Sequence, residues 1–293
     1  MTKENVIMKR NIARFFILAA AMLLAFSLMG EADAAAQAQI KTRKVRISDF
    51  TTKTTKVVLR GEDVLSSAIV SEITSRWRIS PYEFCTTEEF EKQKSSPDYY
   101  FLVLTGGRTP KEGDSGILAL ALVKGGSEQN PDPAKECLTL VSFPLASADS
   151  EGGRELSLLP AAIDIIQDFT QRAMLSDKDA YSSLTTYSKN FSKTRATSIV
   201  FDPEDVAGVR SEYLTGGVSA TEEVDDIFEK QEEGTLVGFI VAPSSPAEGQ
   251  YCYKMLIDAG THSLCWFRRE RIKEPANVAF TSSEIRKLSG KIK

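Results

Sequence analysis

The chain has 293 residues, with 36 Lys and Arg against 40 Asp and Glu and a formal net charge of −4. A mildly acidic chain with dispersed charge does not gather phosphate backbones or anionic lipid, so nucleic acid is excluded as an expected partner. One His and four Cys without a Cys-x-x-Cys unit assemble no zinc site of ordinary spacing, and neither a metal nor a cofactor is expected.

The chain opens with Lys3, Lys9, Arg10 and Arg14, followed by an uncharged apolar run from Phe15 to Met29 and small residues at Ala32, Ala34 and Ala36. That order is the n-, h- and c-region of a signal peptide. Cleavage is expected after Ala34, with Ala36 as the neighbouring choice. The run of about 15 residues is shorter than the ~20 a membrane-spanning helix needs. The first cysteine is Cys85, far from any lipidation position. A chain processed at Ala34 keeps 32 basic and 37 acidic side chains, inserts in no membrane, and is periplasmic or secreted. In such a compartment Cys85, Cys137, Cys252 and Cys265 either form two disulfides in one of three connectivities or stay buried thiols. Their scattered spacing lacks the density of a disulfide scaffold, which favours thiols.

After a polar tether from Gln37 to about Arg43, Lys56-Val57-Val58-Leu59 reads as a strand. Val64, Leu65, Ala68, Ile69 and Ile73 give a helix over 62–75 at helical spacing. A strand follows at Tyr82 to Cys85, then a helix announced by the capping box Thr86-x-x-Glu89. Three strands follow at 99–105, 117–123 and 138–145, with Gly-, Pro- and charge-rich loops between them. Pro160 marks the start of a long helix that buries Ala162, Ile163, Ile166, Phe169 and Ala173. The tract 176–193, rich in Ser, Tyr, Thr and Lys, reads as an exposed connection.

The second half opens with a strand at Ser198 to Phe201, and Asp202-Pro203 starts a helix running to about Tyr213. The box Ser219-x-x-Glu222 opens another helix through Val224, Ile227 and Phe228. Strands follow at 236–242, 251–257 and 264–271, and Thr281-x-x-Glu284 opens the last helix.

An offset of 138 lays Phe90-Glu91-Lys92-Gln93 on Phe228-Glu229-Lys230-Gln231 and Phe101-Leu102-Val103 on Phe239-Ile240-Val241. With the shared order of elements this indicates two tandem repeats of strand-helix-strand-helix-three strands-helix. The expected fold is α+β, with mixed sheets covered by helices in α/β layers. The division is a signal peptide at 1–34, tether and first strand region at 35–54, an N-terminal unit at 55–176, a connection at 177–195 and a C-terminal unit at 196–293.

Motifs that carry chemistry are few. Gly113-Asp114-Ser115-Gly116 imitates the nucleophile segment of trypsin-like proteases, but the lone His262 follows it in the chain, and its flanks are turn residues. His262 itself reads as a turn residue between two strands. Glu88-Glu89 and Glu222-Glu223 sit at helix starts, where the helix dipole accounts for them. Gly125-Gly126, Gly152-Gly153 and Gly216-Gly217 lack phosphate-binding spacing. No catalytic, cofactor or metal residues are assigned. Arg76-Trp77-Arg78 and Trp266-Phe267-Arg268-Arg269 place tryptophan beside cations. Strand alternation makes such a tryptophan a core residue with a solvated flank. The functional reading is a partner-binding patch of Arg76, Trp77, Arg78, Trp266 and Arg268 for an acidic protein or glycan.

The segment from Ser75 to Cys85, with Tyr99-Tyr100-Phe101-Leu102 and the stretch Tyr251 to Asp258, resembles a family of uncharacterised secreted proteins of anaerobic Gram-negative bacteria. The resemblance spans most of the chain after the signal peptide and implies export but no activity. More distantly, the order of elements is similar to the small α/β domains of envelope assembly proteins, such as the N-terminal part of the Tol-system translocation protein. A fold analogy transfers no function. The expected function is therefore non-enzymatic binding of another envelope component, a protein or a glycan. The alternative is a hydrolase acting on an envelope polymer or glycan, with Asp, Glu, Ser or Lys side chains converging in a concave pocket.

Overall fold

A computed structural model of the protein describes residues 47–109, 113–126, 137–149, 153–175, 183–193, 195–274 and 278–292. The expected signal peptide and tether lie outside the described residues, as does the first part of the connection. The chain orders itself as β1 (Thr54–Leu59), α1 (Val64–Arg76), β2 (Tyr82–Thr86), α2 (Thr87–Gln93), β3 (Tyr99–Thr109), β4 (Gly113–Gly125), β5 (Cys137–Ser147) and α3 (Arg154–Leu175). A 3-10 helix at Leu184–Lys193 leads to β6 (Ser198–Phe201), β7 (Val218–Ala220), α4 (Val224–Glu229), β8 (Thr235–Val241), β9 (Tyr251–Asp258), β10 (Leu264–Arg271) and α5 (Ser282–Ser289). Among the described residues no helix is long and apolar enough to cross a membrane.

The fold is α+β, with two five-stranded mixed sheets of the same topology. The first runs β2-β1-β3-β4-β5 and the second β7-β6-β8-β9-β10. In each, the first three strands are parallel and the last two are added antiparallel. The offset of 138 has a physical counterpart: Phe90 meets Phe101 edge-on at 5.0 Å between centroids, and Phe228 meets Phe239 edge-on at 5.1 Å. Each pair lies where the crossover helix before the third strand presses on its sheet.

The two sheets stack in the same sense. One face of the first sheet, with Val57, Leu102, Leu122 and Phe143, packs on α1 and α3. The opposite face, with Val58, Phe101 and Val123, packs on Phe90 of α2. In the second sheet Val237, Phe239 and Met255 share the first core cluster with α3, and Phe228 joins them. Its other face, with Phe201, Ile240 and Leu256, packs on Ile285 and Leu288 of α5. The layers thus run α2, first sheet, α1 with α3, second sheet with α4 on its inner face, and α5. Helix α3 is buried on nearly all sides because it is the shared filling, and Ala162, Ile163, Ile166, Phe169 and Ala173 are all buried.

The capping boxes at Thr86 and Thr281 form with both reciprocal bonds. Four local expectations are corrected. Helix α3 starts at Arg154, so Pro160 lies inside it, and Leu158 and Leu159, which precede the proline, are already fully buried. Asp202-Pro203 starts only two 3-10 turns, Glu204–Val206 and Ser211–Tyr213, with Arg210 extended between them. Ser219 is taken by β7, where it pairs with Val200, so the helix starts at Val224 without a side-chain cap. The part of the connection from 183 is only partly exposed: Leu184, Tyr187 and Phe191 are buried where the 3-10 helix lies along β10, and Thr185 and Lys189 face outward.

Candidate functional site

The two tryptophans serve different places. Trp77 ends α1, not a strand; it is 2 % exposed in the core shared by both sheets, and its indole N–H donates to Ser80 Oγ at 3.1 Å. Arg78 donates to the carbonyls of Trp77 and Thr74, satisfying the free carbonyl end of the helix. Arg76 is held by Glu72 at 2.5 Å and by Asp164 of α3 at 2.9 Å. The same Asp164 oxygen lies 3.0 Å from Nδ1 of His262, whose ring stacks on Phe228 at 5.2 Å. His262 sits in the β9–β10 turn at φ 55° and is buried, so it fastens that turn to α3. Trp77 therefore lies in the core, the half-buried Arg76 joins α1 to α3, and the exposed Arg78 lies over the end of α1, away from Trp266.

Trp266 and Arg268 occupy the outer face of β10, and there the chain forms a groove of about 360 Å³. Its lining comes from three segments: Thr185 and Ser188 of the 3-10 helix, Trp266 to Arg269 of β10, and Glu284, Lys287 and Leu288 of α5. Trp266 is half-buried, and Phe280 backs its indole at 6.2 Å. Ser188 Oγ accepts from the Phe267 N–H at 3.0 Å and donates to the Phe267 carbonyl at 2.7 Å. The strand edge is therefore closed at this point.

Three cations line the groove against one carboxylate. Arg268 donates to Glu284 Oε1 at 2.8 Å, and the buried Lys254 donates to Oε2 at 3.1 Å. The Arg269 guanidinium lies 3.7 Å from the centre of the Tyr251 ring. Lys287 is exposed and has no ion-pair partner among the described residues. Burial alone would raise the pKa of Glu284, but hydrogen bonds from Thr281 together with Lys254 hold it below its ordinary value. It stays an anion that neutralises its neighbours.

Arg269, Lys287, Glu284 and the two hydroxyl residues were absent from the sequence-derived patch. Arg269 adjoins Arg268 and was within reach of that reading. Lys287 had no signal, because nothing in its helix says which strand it packs beside.

Among the described residues no group of three or more His, Cys, Asp or Glu is placed to hold a metal ion. The four cysteines are free. Burial pushes the thiol pKa of Cys252 up to about 11 and that of Cys265 up to about 12, which leaves both weak nucleophiles. Gly113-Asp114-Ser115-Gly116 opens β4 as part of a hairpin. Away from the groove, burial raises the carboxyl of Asp205 to about 7; it lies 3.8 Å from Arg154 of α3. No protein-family model, curated protein or solved structure matches the chain.

Proposed function

We propose that the chain is an exported, non-enzymatic protein of the cell envelope, periplasmic or secreted, that binds another envelope component through the groove beside β10. The observation that carries this reading is the convergence of Trp266 and Arg268 of β10, Lys287 of α5 and Thr185 of the 3-10 helix on one concavity of a chain that is acidic overall. Aromatic and arginine side chains are enriched where proteins bind partners. Export is supported by the n-, h- and c-region order of residues 1–34. The hydrolase reading has less behind it, because the groove's carboxylate is tied to Lys254, Arg268 and Thr281. A pKa held low is also the wrong direction for a general acid.

The test is crosslinking in living cells with an affinity-tagged copy and a photoreactive residue at Thr185. The mature N-terminus of the recovered protein is read by mass spectrometry. The expected result is one reproducible adduct, lost in the Trp266→Ala/Lys287→Glu variant, on a chain that begins near Ala35. An adduct indifferent to that variant would move the binding surface elsewhere. An uncleaved N-terminus facing the cytoplasm would overturn export.

A further inference from the structure

We propose that the chain self-associates through the open edge of β2: two copies pair their β2 strands antiparallel about a two-fold axis at Glu83, and their first sheets join into one. This goes beyond the reading of the groove and uses a different surface. The backbone groups of successive strand residues point to opposite edges. The Thr55 N–H donates to the Pro81 carbonyl at 2.8 Å, so Pro81, Glu83 and Cys85 turn their backbone to β1, and Tyr82 and Phe84 turn theirs outward. Among the described residues nothing bonds to the outward N–H and carbonyl groups of Tyr82 and Phe84. The next outward N–H, that of Thr86, is already taken by Glu89 Oε2 at 2.8 Å. What remains is the template for one short extended strand. The β10 edge differs, because Ser188 closes it at Phe267.

The spacing of these groups selects a second copy as that strand. With Glu83 on the axis, Tyr82 of each copy falls opposite Phe84 of the other, and every outward group finds a partner. An axis at Phe84 would satisfy that residue alone, because Tyr82 would then face the capped Thr86. Pro81 has no N–H to give, but its backbone faces β1, so it interrupts nothing at this edge. The rings of Tyr82 and Phe84 meet edge-on at 5.7 Å and Phe84 is exposed, so the pairing extends their contact into a row of aromatic rings across the axis. Glu83 would meet Glu83 of the second copy, but each arrives with its own Lys56 at 3.0 Å, so the charges on the axis cancel.

The test combines sedimentation velocity of the expressed chain with oxidative crosslinking of Glu83→Cys in a Cys85→Ala background. The Cα atoms of a non-hydrogen-bonded antiparallel pair lie about 4.5 Å apart, within reach of a disulfide. The expected result is a concentration-dependent dimer of the wild-type chain, and an intermolecular disulfide at position 83 that forms about tenfold or more faster than one at the exposed Glu88→Cys of α2 in the same background. Phe84→Pro loses an N–H that points away from β1, so its circular dichroism should be unchanged. With that bond and the ring removed from each copy, association should weaken about tenfold or more. A wild-type chain that stays monomeric at every attainable concentration, or a dimer indifferent to Phe84→Pro, would overturn the inference. Equal crosslinking at positions 83 and 88 would overturn the register. The Trp266→Ala/Lys287→Glu variant should dimerise as the wild-type chain does, and loss of the dimer there would move self-association to the groove and overturn the β2 edge.

Discussion

Replacing Asp205 by Asn should stabilise the protein at neutral and alkaline pH, although it removes a charge that faces an arginine. Asp205 lies in the 3-10 turn between β6 and β7. Its side chain is 12 % exposed, and its Oδ2 has no hydrogen-bond partner among the described residues. Burial, the largest influence, raises its pKa from 3.8 to about 7 despite Arg154 at 3.8 Å, and Asp202 and Glu204 push the same way. Between those two values the folded chain binds more protons than the unfolded one. Stability therefore falls as pH rises from about 4 to about 7 and is level above that. At about 1.4 kcal/mol per pKa unit the whole effect is at most ~4 kcal/mol. Asn does not ionise, so the variant should be more stable by about 2–4 kcal/mol at pH 8 and about equal to wild type at pH 4. Urea denaturation of both proteins at pH 4, 5, 6, 7 and 8 reads this difference, and other titrating groups cancel in the subtraction. A variant less stable than wild type at pH 8 would refute the reasoning and show that the Arg154 ion pair outweighs the burial of the carboxylate.

Phe228→Ala should cost about 3–5 kcal/mol, because Phe228 is 1 % exposed in the core between the sheets. Phe90→Ala, its counterpart on the open side, should cost clearly less; urea denaturation giving equal losses would contradict the stacking order. A methyl group at Gly238 would overlap the Phe201 ring. Gly238→Ala should therefore lose about 1–3 kcal/mol, and most of that loss should vanish in a Phe201→Leu background, as a double-mutant cycle by thermal denaturation would record. Lys254 is buried between Glu270 at 3.0 Å and Glu284 at 3.1 Å. Lys254→Met should destabilise by about 3–5 kcal/mol at pH 7, measured by chemical denaturation, because it leaves buried carboxylate charge undercompensated.

The strands were legible because their apolar runs are short, bounded by turn residues and ordered alike in both halves. The repeated Phe-Glu-Lys-Gln was informative because each phenylalanine does the same work, pressing on a phenylalanine eleven residues later. What failed was local. Asp202-Pro203 and Ser219 carry good helix-start chemistry, but the pull of β7 into the sheet and the extended backbone at Arg210 override it. The 3-10 helix beside β10 was hidden by its Ser, Thr and Lys content, although Leu184, Tyr187 and Phe191 recur on one face. Trp77 and Trp266 look alike in sequence, each with an arginine within two residues, but one closes a helix under the core and the other stands in an edge strand. The groove was half legible for the same reason: Trp266 and Arg268 announce themselves, and the residues that make them a concavity arrive from 80 residues upstream and 20 downstream.

The identical sense of the two sheets bears on what one repeat is by itself. A unit with different helices on its two faces has two unlike surfaces, and copies meeting as these two do join head to tail, through a different surface of each. Joining two of them in one polypeptide satisfies one such junction covalently and leaves one surface of each kind at the ends, roofed by α2 at one end and by α5 at the other. Within the described residues the stack holds two such units, and the groove beside β10 lies on the outer side of the second sheet, against α5.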